Sequence, residues 1–132
     1  MKNKETPQPV TTERLKASLR GEIQLPGDKS ISHRSFILSA LAVGTSKIHG
    51  LLEGEDVLAT GKAMQAMGAQ TVRQSDGTWE VTGRGVSGLT SPDEALDFGN
   101  SGTGIRLSLG AMTGCPVTAK CVGDESLSRR PM

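Results

Sequence analysis

Gly27-Asp28-Lys29-Ser30-Ile31-Ser32-His33-Arg34 sets a pattern that the chain uses again at Gly99-Asn100-Ser101-Gly102-Thr103-Gly104-Ile105-Arg106 and at Gly123-Asp124-Glu125-Ser126-Leu127-Ser128-Arg129-Arg130. Each copy is a glycine, then Asp or Asn, with an arginine seven residues after the glycine. Residue frequencies give roughly a tenth of one such match by chance, so the recurrence marks an internal repeat. Every copy falls where an apolar, strand-like run gives way to a helical pattern, and that position decides the fold.

Working outward from the first copy, residues 21–25 read as a short strand that Pro26-Gly27 ends, because proline cannot donate to a ladder. Residues 32–43 follow as a helix with Phe36, Ile37, Ala40 and Leu41 at helical spacing, Asp28, Ser30 and Ser32 available as caps and Gly44 as the stop. Residues 46–52 read as a strand. Asp56 is the expected cap of a second helix, whose apolar face is Val57, Ala63, Met64 and Met67 and which Gly68 closes; Gly61 weakens it. Residues 70–75 and 78–82 flank Asp76-Gly77, a dipeptide suited to a type I′ hairpin.

Residues 21–82 thus predict a β-α-β-α-β-β unit. After a Gly/Ser/Pro-rich connection at 83–95 the order restarts, with a strand at 96–98, a helix at 103–112 and a strand at 117–122. The fold class is α/β (α+β), built from such repeated units. Residues 1–20 read as a flexible N-terminal tail, residues 21–132 as one partial domain, and residues 96–132 as an incomplete second unit. Pro131 suits the first turn of a further helix.

Composition excludes several functions. Across 132 residues, 15 basic side chains face 14 acidic ones, so no global field draws the chain to nucleic acid or an anionic membrane. Phe36, Phe98 and Trp79 are the only aromatic residues, too few for a base-stacking platform. No span of twenty apolar residues and no secretory leader is visible, and Cys115 and Cys121 read as thiols of a reducing cytoplasm rather than as a zinc ribbon or disulfide frame. His33 and His49 lack metal-ligand spacing and read as structural, with His33 kept neutral near a helix start; no metal or cofactor is expected.

Strand-to-helix turns expose unsatisfied N–H groups and the positive end of a helix dipole, so they receive phosphate or carboxylate. Arg34, Arg106 and Arg130 add planar forks, Lys29 a point charge, and Ser30 and Thr103 hydroxyl donors. In a nearly neutral chain, cations gathered at equivalent turns imply a focused anion pocket. A blander reading makes Asp28, Asn100 and Asp124 ordinary helix caps. The Gly99–Gly104 order, GNSGTG, matches neither the dinucleotide fingerprint nor the P-loop.

At LPGDKSISHRSFILSALA, GLLEGEDV, LDFGNSGTGIRL and SLSRRPM the chain resembles the 3-phosphoshikimate 1-carboxyvinyltransferase (EPSP synthase) family, from about Gly21 to Met132. The resemblance implies transfer of the enolpyruvyl group of phosphoenolpyruvate to the 5-hydroxyl of shikimate 3-phosphate, with release of phosphate, no metal or organic cofactor, and a place in aromatic amino-acid biosynthesis. It implies that Lys29 contacts both substrates and takes part in catalysis, that Ser30 and Arg34 hold shikimate 3-phosphate, and that Gly102 and Arg130 form the site for phosphoenolpyruvate and the inhibitor glyphosate, with Asn100 and Thr103 shaping the same loop. Leu107 stands where many members have proline, a feature of glyphosate-tolerant forms, whereas Gly102 is the small residue of sensitive ones.

Family enzymes are much longer, and their acid–base carboxylates and further arginines lie beyond the position of Met132. The resemblance therefore implies an N-terminal part that needs a C-terminal half as partner and is inactive alone. Two other readings stay open: a UDP-N-acetylglucosamine enolpyruvyl transferase, whose loop cysteine has no counterpart here, and a non-catalytic anion-binding module.

Overall fold

A computed structural model describes residues 9–14 and 18–132. The tail expected at residues 1–20 falls partly on residues 1–8 and 15–17, outside the described residues; those described between 9 and 20 are exposed and carry no helix or strand. Helix α1 (Lys29–Leu41) leads into strand β1 (Val43–Ile48), helix α2 (Glu55–Ala66), and strands β2 (Gln70–Arg73) and β3 (Trp79–Arg84). A 3₁₀ turn at Val86–Gly88 precedes β4 (Leu96–Asp97), α3 (Gly102–Met112), β5 (Cys121–Val122) and the single-turn helix α4 (Glu125–Ser128). One sheet has the order β1-β3-β2 with both pairings antiparallel, and β4 and β5 form a separate parallel pair with α3 as the crossover.

The helices begin where their first turns find acceptors. Asp28 accepts the Ile31 N–H at 2.7 Å, so α1 begins at Lys29, three residues earlier than the apolar pattern suggests. Ser32 fastens that turn: its hydroxyl donates to the Asp28 carbonyl at 2.7 Å and accepts the Leu52 N–H at 2.9 Å. In α2 the cap is Gly54 rather than Asp56, which sits inside the first turn. The expected apolar face of α2 is in the core, with Val57, Met64 and Met67 fully buried and Ala63 nearly so. Gly61, unfavourable by propensity, has a packing reason: a Cβ there would stand 3.0 Å from the Phe36 ring.

A main core joins α1, α2 and α3 through Ile37, Ala40, Met64, Met67, Phe98, Ile105 and Leu127. A smaller one, Phe36, Val57 and Val81, lies against the sheet and is bordered by Trp79, whose ring meets Phe36 edge-on at 5.3 Å. Trp79 also donates from Nε1 to Glu53 at 3.0 Å, and Glu53 pairs with Arg73 at 2.7 Å. His33 is completely buried between helices, with Nδ1 2.8 Å from the Thr60 hydroxyl and Nε2 unpartnered among the described residues.

Several expectations need correction. Residues 21–25 form no strand among the described residues; Ile23 and Leu25 are each 80% exposed, and an extended segment without a ladder partner has nothing to hold it. Gly44 does not stop α1 but lies inside β1 at φ +101°, after Ala42 caps the helix, and β1 ends at Ile48 rather than at residue 52. The hairpin is present, but its turn is not type I′. Only Gly77 (φ +84°) is left-handed; Gly77 N–H donates to the Gln74 carbonyl at 3.1 Å and Gln74 N–H to the Thr78 carbonyl at 2.8 Å, a type I turn followed by a glycine bulge.

Strand β3 also runs on to Arg84, because Gly83 lets it approach the last carbonyls of α1; a Cβ there would lie 2.9 Å from the Ala40 oxygen and closer still to those of Ser39 and Ala42. The strand expected at 117–122 shrinks to Cys121–Val122, since the Thr118 N–H goes to the Ser91 hydroxyl at 2.9 Å instead of a ladder. Cys115 and Cys121 are free and half-buried, and burial raises the Cys121 thiol pKa. No helix among the described residues is long and apolar enough to cross a membrane.

Two consequences are measurable. A Cβ at Gly27 would run into the Gly50 carbonyl and stand 2.9 Å from the Leu52 nitrogen, both backbone atoms that cannot swing away. Gly27→Ala should therefore destabilise the fold by about 1–3 kcal/mol in denaturant unfolding, the usual cost of overpacking. Burial, opposed by Asp56 and aided by Lys29, holds His33 below the ordinary histidine pKa. The unfolded chain then takes up a proton that the folded chain refuses, so stability is intact above about pH 6.5 and falls as pH drops below it. Thermal melts from neutral to mildly acidic pH should show that slope, and His33→Gln should flatten it.

Candidate functional site

The repeat has a geometric meaning. In the first and third copies the Asp after the glycine is the helix cap: Asp28 for α1, and Asp124, which accepts the Leu127 N–H at 2.7 Å, for α4. In the second copy the cap moves one residue on, to Ser101, which accepts the Gly104 N–H at 3.0 Å. Asn100 is thereby left outside the helix. Its Nδ2 donates to Asp124 Oδ2 at 2.8 Å, and its Oδ1 accepts from Arg130 Nη2 at 2.8 Å, so the second and third copies are tied side by side.

Between the starts of α1, α2 and α3 lies a cleft of about 540 Å³. Lys29 reaches it from α1; Glu55, Asp56 and Ala59 from α2; Phe98, Gly99, Asn100, Gly102, Thr103 and Arg106 from the second copy; Arg130 from the third. Its charged lining is thus three cations against two carboxylates. One pair is already matched, since Lys29 Nζ forms an ion pair with Asp56 Oδ2. Burial opposes ionisation of Asp56, but the hydrogen bond and charge of Lys29 outweigh it and hold the carboxyl below its usual range.

The two arginines converge on a glycine. A Cβ at Gly102 would stand 2.9 Å from Arg106 Nη1 and 3.0 Å from Arg130 Nη1. Arg106 donates to the Gly102 carbonyl at 3.2 Å and to the Pro131 carbonyl at 2.6 Å, which brings the last residues of the chain over the start of α3. Arg130 spends Nη2 on Asn100 and on the Ser126 hydroxyl (3.2 Å), while its Nη1 has no hydrogen-bond partner among the described residues. A fork with a free side, beside a residue without a side chain and at the positive end of an eleven-residue helix, can take a carboxylate or phosphate.

Of the residues singled out in the sequence, Lys29, Asn100, Gly102, Thr103 and Arg130 line the cleft. Ser30 and Arg34 do not; both are exposed on α1. Glu55 and Asp56 were missed as site residues. Their acidic run before an apolar periodicity reads as a helix start, and nothing in its spacing reveals that the start points at Lys29. Arg106 was visible through the repeat. His49 lies at the hairpin instead, with Nδ1 3.1 Å from the Thr78 hydroxyl, and no cluster of metal-ligating side chains occurs among the described residues.

The family model for EPSP synthase (3-phosphoshikimate 1-carboxyvinyltransferase) matches residues 14–132. The chain is 58% identical over 127 residues to the 3-phosphoshikimate 1-carboxyvinyltransferase of Ruegeria sp. (strain TM1040), covering 96% of this chain and 28% of that protein. It is 62% identical over 115 residues to that of Parvibaculum lavamentivorans, covering 87% of this chain and 26% of the relative. The EPSP synthase structure from Acinetobacter baumannii superposes with a TM-score of 0.79 at 45% identity, over 85% of this chain and 26% of that one. The chain thus spans between a quarter and a third of the length of these relatives, and it belongs to the EPSP synthase (3-phosphoshikimate 1-carboxyvinyltransferase) family.

Proposed function

We propose that this chain supplies one wall of the active site of a transferase that moves the enolpyruvyl group of phosphoenolpyruvate to the 5-hydroxyl of shikimate 3-phosphate, releasing phosphate. The observation that carries the proposal is the convergence of Lys29, Arg106 and Arg130 around Gly102 at the start of α3. Both substrates are anions, and the cleft offers a helix N-terminus, a free guanidinium edge and an ammonium group. Arg130 and Gly102 fit the phosphoenolpyruvate end, where glyphosate would compete. Lys29, paired with Asp56, would turn toward the reacting oxygens and stabilise charge that develops during addition.

Ser30 and Arg34, exposed on α1 beside Lys29, remain candidates for the phosphate of shikimate 3-phosphate, and Thr103 for an added hydroxyl donor. The remainder of the transferase, corresponding to the rest of the relatives' length, is the expected partner and the source of the acid and base. The repeated-unit reading belongs here as well: residues 21–82 as one unit, residues 96–132 as the start of another, and residues 1–20 as a lead-in. The cytoplasm is the proposed setting, where aromatic amino-acid biosynthesis would use the enzyme. The relatives' name favours shikimate 3-phosphate over UDP-N-acetylglucosamine as acceptor.

This chain by itself should release no phosphate from a mixture of phosphoenolpyruvate and shikimate 3-phosphate, because the positioned acid and base are expected in the remainder of the transferase. Supplying the rest of the transferase should restore turnover; wild-type rates from this chain alone would refute the proposal. In the assembled enzyme, Gly102→Ala should leave the melting temperature nearly unchanged, since the crowded atoms are the movable ends of two arginines. It should weaken phosphoenolpyruvate and glyphosate by about tenfold or more, because charge-assisted hydrogen bonds to those arginines are displaced. Titration calorimetry separates the two effects.

A further inference from the structure

Arg130 is a long, exposed side chain near the end of the described chain, yet its guanidinium has a defined direction. The direction comes from a relay. Asp124 Oδ1 accepts the Leu127 N–H at 2.7 Å, which leaves Oδ2 to accept Asn100 Nδ2 at 2.8 Å; Asn100 Oδ1 then accepts Arg130 Nη2 at 2.8 Å. We propose that Asp124 is a positioning residue that, through the Asn100 amide, aims the free edge of Arg130 at the anion in the cleft. The inference rests on the reading of that cleft as the enolpyruvate site and deepens it.

The polarity of the relay carries the argument. A carboxylate only accepts, whereas an amide donates from one atom and accepts at the other. With Nδ2 committed to Asp124, the amide must present Oδ1 to Arg130; the reverse orientation would set oxygen against carboxylate and N–H against guanidinium. Asp124 therefore fixes the amide, and the amide fixes the fork. The interposed amide matters as well. Among the described residues no ion pair within 4 Å joins Arg130 to an acidic side chain, so no protein carboxylate occupies its fork; its charge is felt by Asp124 only across the amide. Nη1 stays unpartnered beside Gly102, and an arginine ordered in advance loses less freedom on binding.

The shift of the cap to Ser101 is what makes this possible, because an Asn100 engaged as a cap could not bridge the two turns. Asp124 consequently does two jobs with two oxygens, and substitutions can separate them. Serine retains a cap oxygen but lacks the second acceptor. Asparagine has a single oxygen, so the cap, the bond to Asn100 or, if the Asn100 amide turns over to accept from the new amide, the bond to Arg130 must fail. In an Asn100→Ala background there is no amide left for Asp124 to orient, so there the loss of its second acceptor should add nothing.

The test uses the assembled enzyme, with phosphoenolpyruvate titrated in the presence of shikimate 3-phosphate and shikimate 3-phosphate titrated alone. Asp124→Ser should weaken phosphoenolpyruvate about tenfold, the scale of a charge-assisted hydrogen bond, while shikimate 3-phosphate affinity and the melting temperature stay near wild type. Asp124→Asn should be impaired likewise, and in an Asn100→Ala background Asp124→Ser should add little to the loss, a coupling that a purely structural cap would not show. If Asp124→Ser also lowers the melting temperature, that non-additivity with Asn100→Ala decides. Unchanged phosphoenolpyruvate affinity in Asp124→Ser, or a loss as large in the Asn100→Ala background as in the wild type, overturns the positioning role. Arg130→Ala is the control for the underlying reading: if it binds phosphoenolpyruvate normally, the cleft assignment itself falls, whereas its failure beside an unimpaired Asp124→Ser removes only the relay.

Discussion

The arrangement depends on close backbone approach at the turns between strands and helices, which side chains would prevent. A Cβ at Gly27 would strike the 50–52 loop, one at Gly104 would stand 2.6 Å from both Thr60 Oγ1 and Ser101 Oγ, and one at Gly123 would stand 2.9 Å from the Gly99 carbonyl. These approaches bring three helix starts to one cleft. The main core then holds the helices there, and the sheet packs on the far side through Phe36, Val57 and Val81. Each glycine gives up conformational entropy on folding, a cost that the packing of the helices offsets.

Electrostatics follow from the same convergence. The chain as a whole is almost neutral, yet the cleft gathers Lys29, Arg106 and Arg130 against Glu55 and Asp56. A local field of this kind recognises a small anion without drawing polyanions to the surface at large. Within the cleft the cations are held differently. Lys29 is held by a carboxylate, Arg106 by two carbonyls and Arg130 by an amide and a hydroxyl. Neutral oxygens restrain an arginine without cancelling its charge, so the two arginines remain electrostatically available in a way that Lys29 is not.

Much of this was legible in the sequence because it is periodic or local. The apolar faces of α1 and α2, the hairpin at Asp76-Gly77 and the three handover turns all register in spacing alone. What escaped was set mostly by neighbours distant in sequence, and in one turn by the pairing at its base. Whether residues 21–25 are a strand depends on a partner edge, which spacing does not reveal. The turn at Ser75-Asp76-Gly77 is a bulge because of how Gln74 and Thr78 pair, and the reach of β3 to Arg84 depends on the end of α1. In the site, the arginines of the second and third copies were foreshadowed by the repeat. The facing carboxylates of α2 were not, because Glu55 and Asp56 resemble any acidic first turn until α1 is placed beside them.

Trp79 is the only tryptophan, and the chain has no tyrosine. Its indole is hydrogen-bonded to Glu53, edge-on to Phe36, and absent from the lining of the anion cleft. Near-ultraviolet absorbance and intrinsic emission of this chain therefore come from a single probe at the border of the smaller core. That optical signal reports whether the hairpin and α1 have come together, and an anion entering the cleft alters it only by moving those elements.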